Sequence, residues 1–318
     1  MKKTTILGHS TCNVNRMGLG CMGMSEFYGS FDEGESIKTL HKAIDLGVNF
    51  FDTADMYGWG ANERLLGKAF KRRWDDVVLA TKFAVMRGPN GEWLGLNGKP
   101  EYIRQACEKS LQNLGMEAID LYYMHRQDPK VEMEEIVGTM SELVREGKVK
   151  YIGLSEVDPE TLRRAHAVHP ITALQTEYSL WSREPEKELF SVCKELGITF
   201  VAYSPLGRGF LTGAIKSRAD FEKGDFRLGN PRFTEEAMKE NLKFVEVVER
   251  IAQSKGVTKA QVALAWILGQ NDEITAIPGT RKIHRLEENL GALNVELTEN
   301  DIAIIEEHIP SVTVGGRY

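Results

Sequence analysis

The sequence predicts a (β/α)₈ TIM barrel. Eight short β-rich runs alternate with amphipathic helical stretches along nearly all of the 318 residues. Gly stands just past the last periodic residue of four of those stretches, at Gly47, Gly115, Gly147 and Gly197, where a helix is expected to stop. No linker of shifted composition divides the chain, so residues 1–318 read as a single domain.

Taken in order, Lys3–Val14 precedes the first run and is expected to form a hairpin across the barrel bottom. The eight runs are Arg16–Met22, Val48–Asp55, Val77–Ala84, Ile119–Arg126, Val149–Glu156, Ile171–Ser179, Ile198–Leu206 and Ile274–Thr280. Several are nearly unbroken apolar stretches, as in Ile198–Tyr203, the pattern of a strand covered on both faces. Helices are predicted at Ser36–Leu46, Glu101–Leu114, Met133–Glu146 and Pro185–Leu196. Another starts at Asp158-Pro159, with Asp as cap and Pro in the first turn, and runs toward Val168. Outside the alternation lie an extra helix near Glu235–Lys255 and a final helix, Glu299–His308.

Composition narrows the function classes. With 42% hydrophobic and 27% charged residues the chain reads as an ordinary globular protein. Lys+Arg 40 against Asp+Glu 46 gives a net charge of −6 and no general pull toward nucleic acid or anionic membrane. Four cysteines lie far apart without C-x-x-C spacing or a His partner, so no metal site and no disulfide framework is expected. The start, MKKTTILGHSTCNV, lacks an apolar signal core, and no run is long enough to span a bilayer. A cytoplasmic protein is expected.

Gly18-Leu19-Gly20-Cys21-Met22-Gly23 matches G-x-G-x-x-G, the dinucleotide fingerprint, but its context is wrong. The third Gly should open a helix, whereas the first helical pattern begins near Ser36. We read these glycines as the first barrel strand and its loop.

Barrel chemistry sits where strands end. The second run ends F-F-D-T-A-D-M-Y-G, the third A-T-K-F and the fourth Y-Y-M-H-R, bringing an Asp, a Tyr, a Lys and a His to one rim. A lone strand-end Lys or His is more often solvated or structural. Four polar residues on three sequential strands are harder to dismiss, and Lys82 would lie partly buried beside Asp52.

With these segments the sequence resembles the aldo-keto reductase superfamily over nearly its whole length. It is most similar to the perakine reductase and auxin-induced-protein-like branch, through YIGLSE, RRAHAVHPITALQTEYSLWSR, AYSPLGRGFLTG and IPGT. The resemblance implies a catalytic tetrad of Asp52, Tyr57, Lys82 and His125 and NADP(H)-dependent reduction of small-molecule aldehydes or ketones. Chemically, hydride addition to a carbonyl develops an alkoxide that needs a proton donor and a positive surrounding. Tyr57 is assigned as donor, Lys82 as the ammonium expected to lower its pKa, Asp52 as partner of Lys82, and His125 as the group orienting the carbonyl.

The resemblance further assigns Ser155 and Gln175 to the nicotinamide carboxamide and Tyr203 to its ring. Glu156 stands where the family commonly has Asn, and no role follows for it. Ser204, Pro205, Leu206, Gly207, Arg208 and Gly209 form a loop suited to a pyrophosphate, with glycines for close approach and Arg208 for charge. Ile277, Gly279, Thr280 and Arg281 lead into a helix start where free N–H groups favour a phosphate. Thr280 and Arg285 correspond to 2′-phosphate contacts, and Glu288 and Asn289 to adenine contacts, so NADPH is expected over NADH. Gly279 replaces a phosphate-binding Lys of many relatives.

Tyr28, Trp59, Trp93 and Trp181 are expected at the catalytic rim as walls of an apolar substrate pocket. Two other classes compete: a cofactor-sensing binding or regulatory subunit of the same fold, and a metal-dependent barrel hydrolase. Against the second, His125 is the one His that ends a predicted strand.

Overall fold

A computed structural model describes residues 2–310 and 312–317. The eight predicted runs each contain a strand, shorter than the run: β1 Leu19–Gly20, β2 Phe50–Asp52, β3 Val78–Phe83, β4 Ile119–Met124, β5 Val149–Ser155, β6 Ala173–Glu177, β7 Thr199–Tyr203 and β8 Ile274–Ala276. They pair in parallel in sequence order. Parallel bridges from Met17 to Ala276 and from Gly20 to Gly279 close the sheet into a barrel.

Helices alternate with these strands: α1 Glu33–Asp45, α2 Ala61–Phe70, α3 Pro100–Leu114, α4 Met133–Arg145, α5 Pro159–Val168 and α6 Leu189–Leu196, then α7 Glu235–Lys255, α8 Lys259–Gly269, α9 Ile283–Gly291 and α10 Glu299–His308. Helix α1 starts three residues earlier than its periodicity indicates, because Asp32 accepts from Glu35 N at 2.6 Å and caps it. The Pro185–Leu196 stretch divides into a 3₁₀ turn, Glu184–Glu186, and α6. Helices α7 and α10 have the predicted bounds. Helix α2 and an antiparallel hairpin, Val85–Arg87 with Trp93–Leu96, were not anticipated.

Strand alternation explains both the core and the site. Phe50, Ala80, Leu121, Ala173 and Val201 share one buried cluster inside the barrel. Two residues further along the same strands come Asp52, Lys82, Tyr123, Gln175 and Tyr203, so the face that is apolar below is polar at the rim. The opposite faces, among them Phe51, Leu79, Tyr122 and Met124, pack against helices.

The bottom is plugged by the predicted hairpin, Thr4–Ile6 with Asn13–Asn15, which drops Leu7 and Val14 into the interior cluster. The β8/β1 seam is held from below by Arg16. Its fully buried guanidinium donates to Ile274 O at 2.9 Å, to Leu268 O at 2.7 Å and to Asn271 O. At the seam the chains approach so closely that a Cβ on Gly20 would lie 2.9 Å from Ile277 O. The G-x-G-x-x-G segment is thus strand β1 followed by a 3₁₀ turn, Met22–Met24.

Among the described residues, no helix is long and apolar enough to cross a membrane. Nor, among them, is any group of three His, Cys, Asp or Glu side chains placed to hold a metal ion.

Candidate active site

Asp52 ends β2, Lys82 lies near the end of β3, and His125 follows β4, where its N–H bonds Phe83 O at 2.9 Å. Tyr57 sits in the turn leading to α2, its N–H bonded to Ala54 O at 3.1 Å. That turn is fixed by Asn62 in the first turn of α2. Fully buried, Asn62 accepts from Thr53 Oγ1 at 2.6 Å and donates to Cys21 O at 2.9 Å and Ser25 Oγ at 2.7 Å, joining the loops after β1 and β2.

The four residues meet. Lys82, fully buried rather than partly so, places Nζ 2.5 Å from Asp52 Oδ1, donates to Thr53 O at 2.7 Å, and lies 5.3 Å from the centre of the Tyr57 ring. Gln175 Nε2 donates to the other oxygen of Asp52 at 2.7 Å. The rings of Tyr57 and His125 meet edge-on with centres 5.9 Å apart. His125 Nδ1 is buried without a hydrogen-bond partner.

Burial sets the proton states. It drives Asp52 up and Lys82 down, each opposed by the other's charge. Tyr57 is pushed well above 10 by burial and then by Asp52, with Arg126 pulling the other way. This differs from the expected lowering by Lys82: removing the phenol from water outweighs the neighbouring cation. His125 is held well below 6.5 by burial, Lys82 and Arg126, so its imidazole is neutral at pH 7.

Tyr57 and His125 open into a cavity of about 880 Å³ that extends over the rim. Ser155, Gln175, Tyr203, Ser204, Pro205, Leu206, Arg208, Gly209, Ile277, Gly279, Thr280, Arg281, Arg285, Glu288 and Asn289 all line it. Gly207 is the exception among the assigned cofactor positions. It is turned against the Trp181 indole, where a Cβ would lie 2.6 Å from Cε2. Trp181 is correspondingly core: stacked on Phe210 at 4.9 Å, it lies outside the cavity lining. Trp59 also lies outside it, 57% exposed in a left-handed turn, whereas Tyr28 and Trp93 line it.

The cations of this rim have protein partners. Arg208 is ion-paired with buried Glu177 at 3.2 Å. Arg281 donates to Gly23 O at 3.2 Å and Tyr28 O at 3.0 Å, anchoring the loop after β1. Lys282 pairs with Glu35 and Arg285 with Glu288, each at 2.8 Å. Sequence reasoning missed Arg126, which bonds His125 O at 2.6 Å and Ser155 Oγ at 3.1 Å and whose one signal was adjacency to His125. It also missed the apolar wall of Met22, Phe27, Met56, Val85 and Phe226, which come from turns, loops and the hairpin outside the barrel strands.

The site suits an extended nucleotide. Gly20 and Gly279 flank the seam, and no side chain caps α9, whose first turn lines the cavity through Lys282 and Arg285.

Comparison with known proteins identifies the family and the fold. The model of the aldo/keto reductase family matches residues 16–310. The chain is 45% identical over 321 residues to the aldo-keto reductase yakc of Schizosaccharomyces pombe, whose name specifies NADP(+), covering 99% of this chain and 94% of that one. It is 47% identical over 318 residues to "Probable aldo-keto reductase 1" of Glycine max, covering 98% and 90%. Among solved structures, a glycerol dehydrogenase from Gluconobacter oxydans superposes with a TM-score of 0.87 at 27% identity, covering 97% of each chain. An aldo/keto reductase from Klebsiella pneumoniae, in complex with NADP and acetate, gives 0.77 at 26% identity over 100% and 99%. The chain therefore belongs to the aldo/keto reductase family of oxidoreductases.

Proposed function

We propose that the protein reduces aldehydes or ketones to alcohols with NADPH. The observation that carries this reading is the meeting of Tyr57, Lys82, Asp52 and His125 beside a cavity of about 880 Å³. When bound, the nicotinamide supplies the hydride.

The protein's own groups do the rest. Burial keeps the Tyr57 phenol protonated, so a proton is held ready at Oη for the carbonyl oxygen. As the phenol gives it up, the ammonium of Lys82 stabilises the negative charge left behind. Asp52, gripped by Lys82 and Gln175, keeps that ammonium in place. His125 is neutral, and its ring beside Tyr57 orients the carbonyl through a neutral hydrogen bond. Ser155 and Gln175 would hold the carboxamide, Tyr203 the ring, the 204–209 loop the pyrophosphate, and Thr280, Arg285, Glu288 and Asn289 the 2′-phosphate and adenine. Tyr28, Trp93, Phe27 and Phe226 give the carbonyl end an aromatic wall, suited to apolar or aromatic substrates.

The test follows reduced-nicotinamide absorbance with a panel of aldehydes and ketones, for wild type and Tyr57→Phe. Turnover by wild type with loss in the variant is expected. Cofactor binding without turnover of any carbonyl would favour a sensing subunit instead.

A further inference from the structure

Two features have no part in the proton chemistry: Glu156 and the segment 312–317. The structure joins them. Beyond α10 the chain returns across the rim, fastened by groups of the rim loops and of helix α7. Thr313 Oγ1 donates to Trp181 O at 2.6 Å, and the Asn241 amide takes both backbone groups of Val314 at 3.0 Å. Asn230 Nδ2 and Arg208 Nη1 donate to Arg317 O at 2.8 and 3.1 Å. Gly315, at φ 91°, packs on the backbone of Pro231 so closely that a Cβ would meet its carbonyl carbon at 2.7 Å.

This path delivers the Arg317 guanidinium to the ends of three strands. Nη2 bonds Glu156 Oε1 at 2.5 Å and Tyr203 Oη at 3.2 Å, and Nε lies 3.6 Å from Glu177 Oε2. Glu156, just past β5, is a non-glycine residue at φ 56°, a conformation that costs energy and persists only where its surroundings enforce it. Its N–H bonds Gln175 O at 3.1 Å, and its carboxylate also accepts from Glu177 N at 2.9 Å. So many charges at a rim are poor stabilisers for their number; their value lies in fixed geometry.

Tyr203 is the group that gains from it. A tyrosine side chain swings about χ1, and because Oη lies on the axis of the ring's other torsion, a charge-assisted bond at Oη fixes that swing and so where the ring lies. We propose that Arg317, held by Glu156, is a positioning residue that fixes where the Tyr203 ring lies and so the wall against which the nicotinamide lies. This rests on the reading of Tyr203 given above.

The test compares wild type, Arg317→Met, Tyr203→Phe and the double variant. Dissociation constants are measured by calorimetric titration for NADP⁺ and for 2′-phospho-ADP-ribose, which lacks the nicotinamide. Hydride transfer is measured in single turnover. Loss of a charge-assisted bond at the ring should weaken NADP⁺ binding in Arg317→Met by about five- to tenfold and slow hydride transfer similarly. Binding of 2′-phospho-ADP-ribose should be unchanged. Adding Arg317→Met to Tyr203→Phe should cost less than about twofold more, because both remove the same bond. Arg317→Lys, which keeps the charge without the fork, should recover part of the loss.

Equal weakening of both ligands, additive losses, or a lowered melting temperature with intact NADP⁺ affinity would each overturn the proposal. If Arg317→Met does not fold, Glu156→Gln carries the test with the same expected selectivity. Tyr203→Ala separates the two readings. Unchanged NADP⁺ affinity there removes Tyr203 from the site and the proposal with it. A loss there with an unaffected Arg317→Met removes the Arg317 role alone.

Discussion

Lys82→Met removes one partner of an ion pair whose side chains are 0% and 4% exposed. Asp52 is then left in the barrel interior with the Gln175 Nε2 donor on its other oxygen. Breaking such a pair from one side costs about 3–5 kcal/mol, because a buried charge loses its counterion. For a chain of this size that lowers the melting temperature by about 4–8 °C. The loss has a pH signature. Burial already raises Asp52 above 3.8, and Lys82 is the first influence opposing it, so the variant's carboxyl rises further and takes up a proton in the folded state. The folded variant then binds more protons than the unfolded chain above pH 3.8, so its deficit against wild type grows as pH rises from there and shrinks as pH falls. Asp52→Asn/Lys82→Met removes both charges and should regain much of the stability while regaining none of the rate. Calorimetry across pH reads the first part. Single-turnover hydride transfer, expected to fall about a hundredfold or more with cofactor affinity nearly intact, reads the second. A double variant no more stable than Lys82→Met would refute the buried-charge argument, and an unchanged rate would remove Lys82 from the mechanism.

Replacement of His125 by Ala should lower kcat/KM by about a hundredfold while cofactor affinity changes little, and a normal kcat/KM removes it from the chemistry. The same residue makes stability acid-sensitive: held below 6.5 in the fold, it contributes stability above that pH that is lost as pH falls toward its folded value. The slope of melting temperature between pH 6.5 and 5 should flatten in His125→Gln; an identical slope contradicts this. Arg285→Ala should weaken NADPH binding by about tenfold and leave NADH nearly unchanged, as expected for loss of one charge-assisted phosphate contact. Equal wild-type affinities, or equal losses, count against that assignment. Arg16→Met strips a buried donor from three carbonyls and should cost about 3–5 kcal/mol, read by denaturant unfolding; a cost under about 1 kcal/mol would show that the seam does not depend on it.

What the sequence disclosed follows from how local each signal is. Strands covered on both faces leave unbroken apolar runs, so Ile198–Tyr203 could be read directly, and the polar residues near the ends of the second, third and fourth runs marked the rim. Helix α7 carried its own limits, ending at Gly256 with φ 65°. Helix α2 did not, since it opens at Gly60 and spends its buried face partly on polar Asn62 and Glu63. Trp181 and Gly207 mark the other boundary: a loop aromatic near the rim can face the cavity or the core, and only tertiary packing chose the core. The charge of Arg281, Lys282 and Arg285 was plain, but their partners include Gly23 O, Tyr28 O and Glu35, more than two hundred residues away in sequence. The lowering of Tyr57 by Lys82 was argued from proximity alone; how dry the phenol would be has no local signature.

The short β1 makes the barrel unequal around its circumference. Between β1 and β8 the sheet is joined by isolated bridges, with Gly18 N to Ala276 O and Ala276 N to Arg16 O at 2.9 Å, while β8's other neighbour and the remaining strand pairs form continuous ladders. Thermal opening should therefore start along this line, and the amides of Gly18 and Ala276 should exchange with solvent sooner than those of β3 or β4. Gly20 and Gly279 stand on opposite banks of that line and both border the cavity. A ligand lying across them works as a rivet: each molecule bound taxes the opening motion, and cofactor concentration becomes a control on how often the barrel unzips.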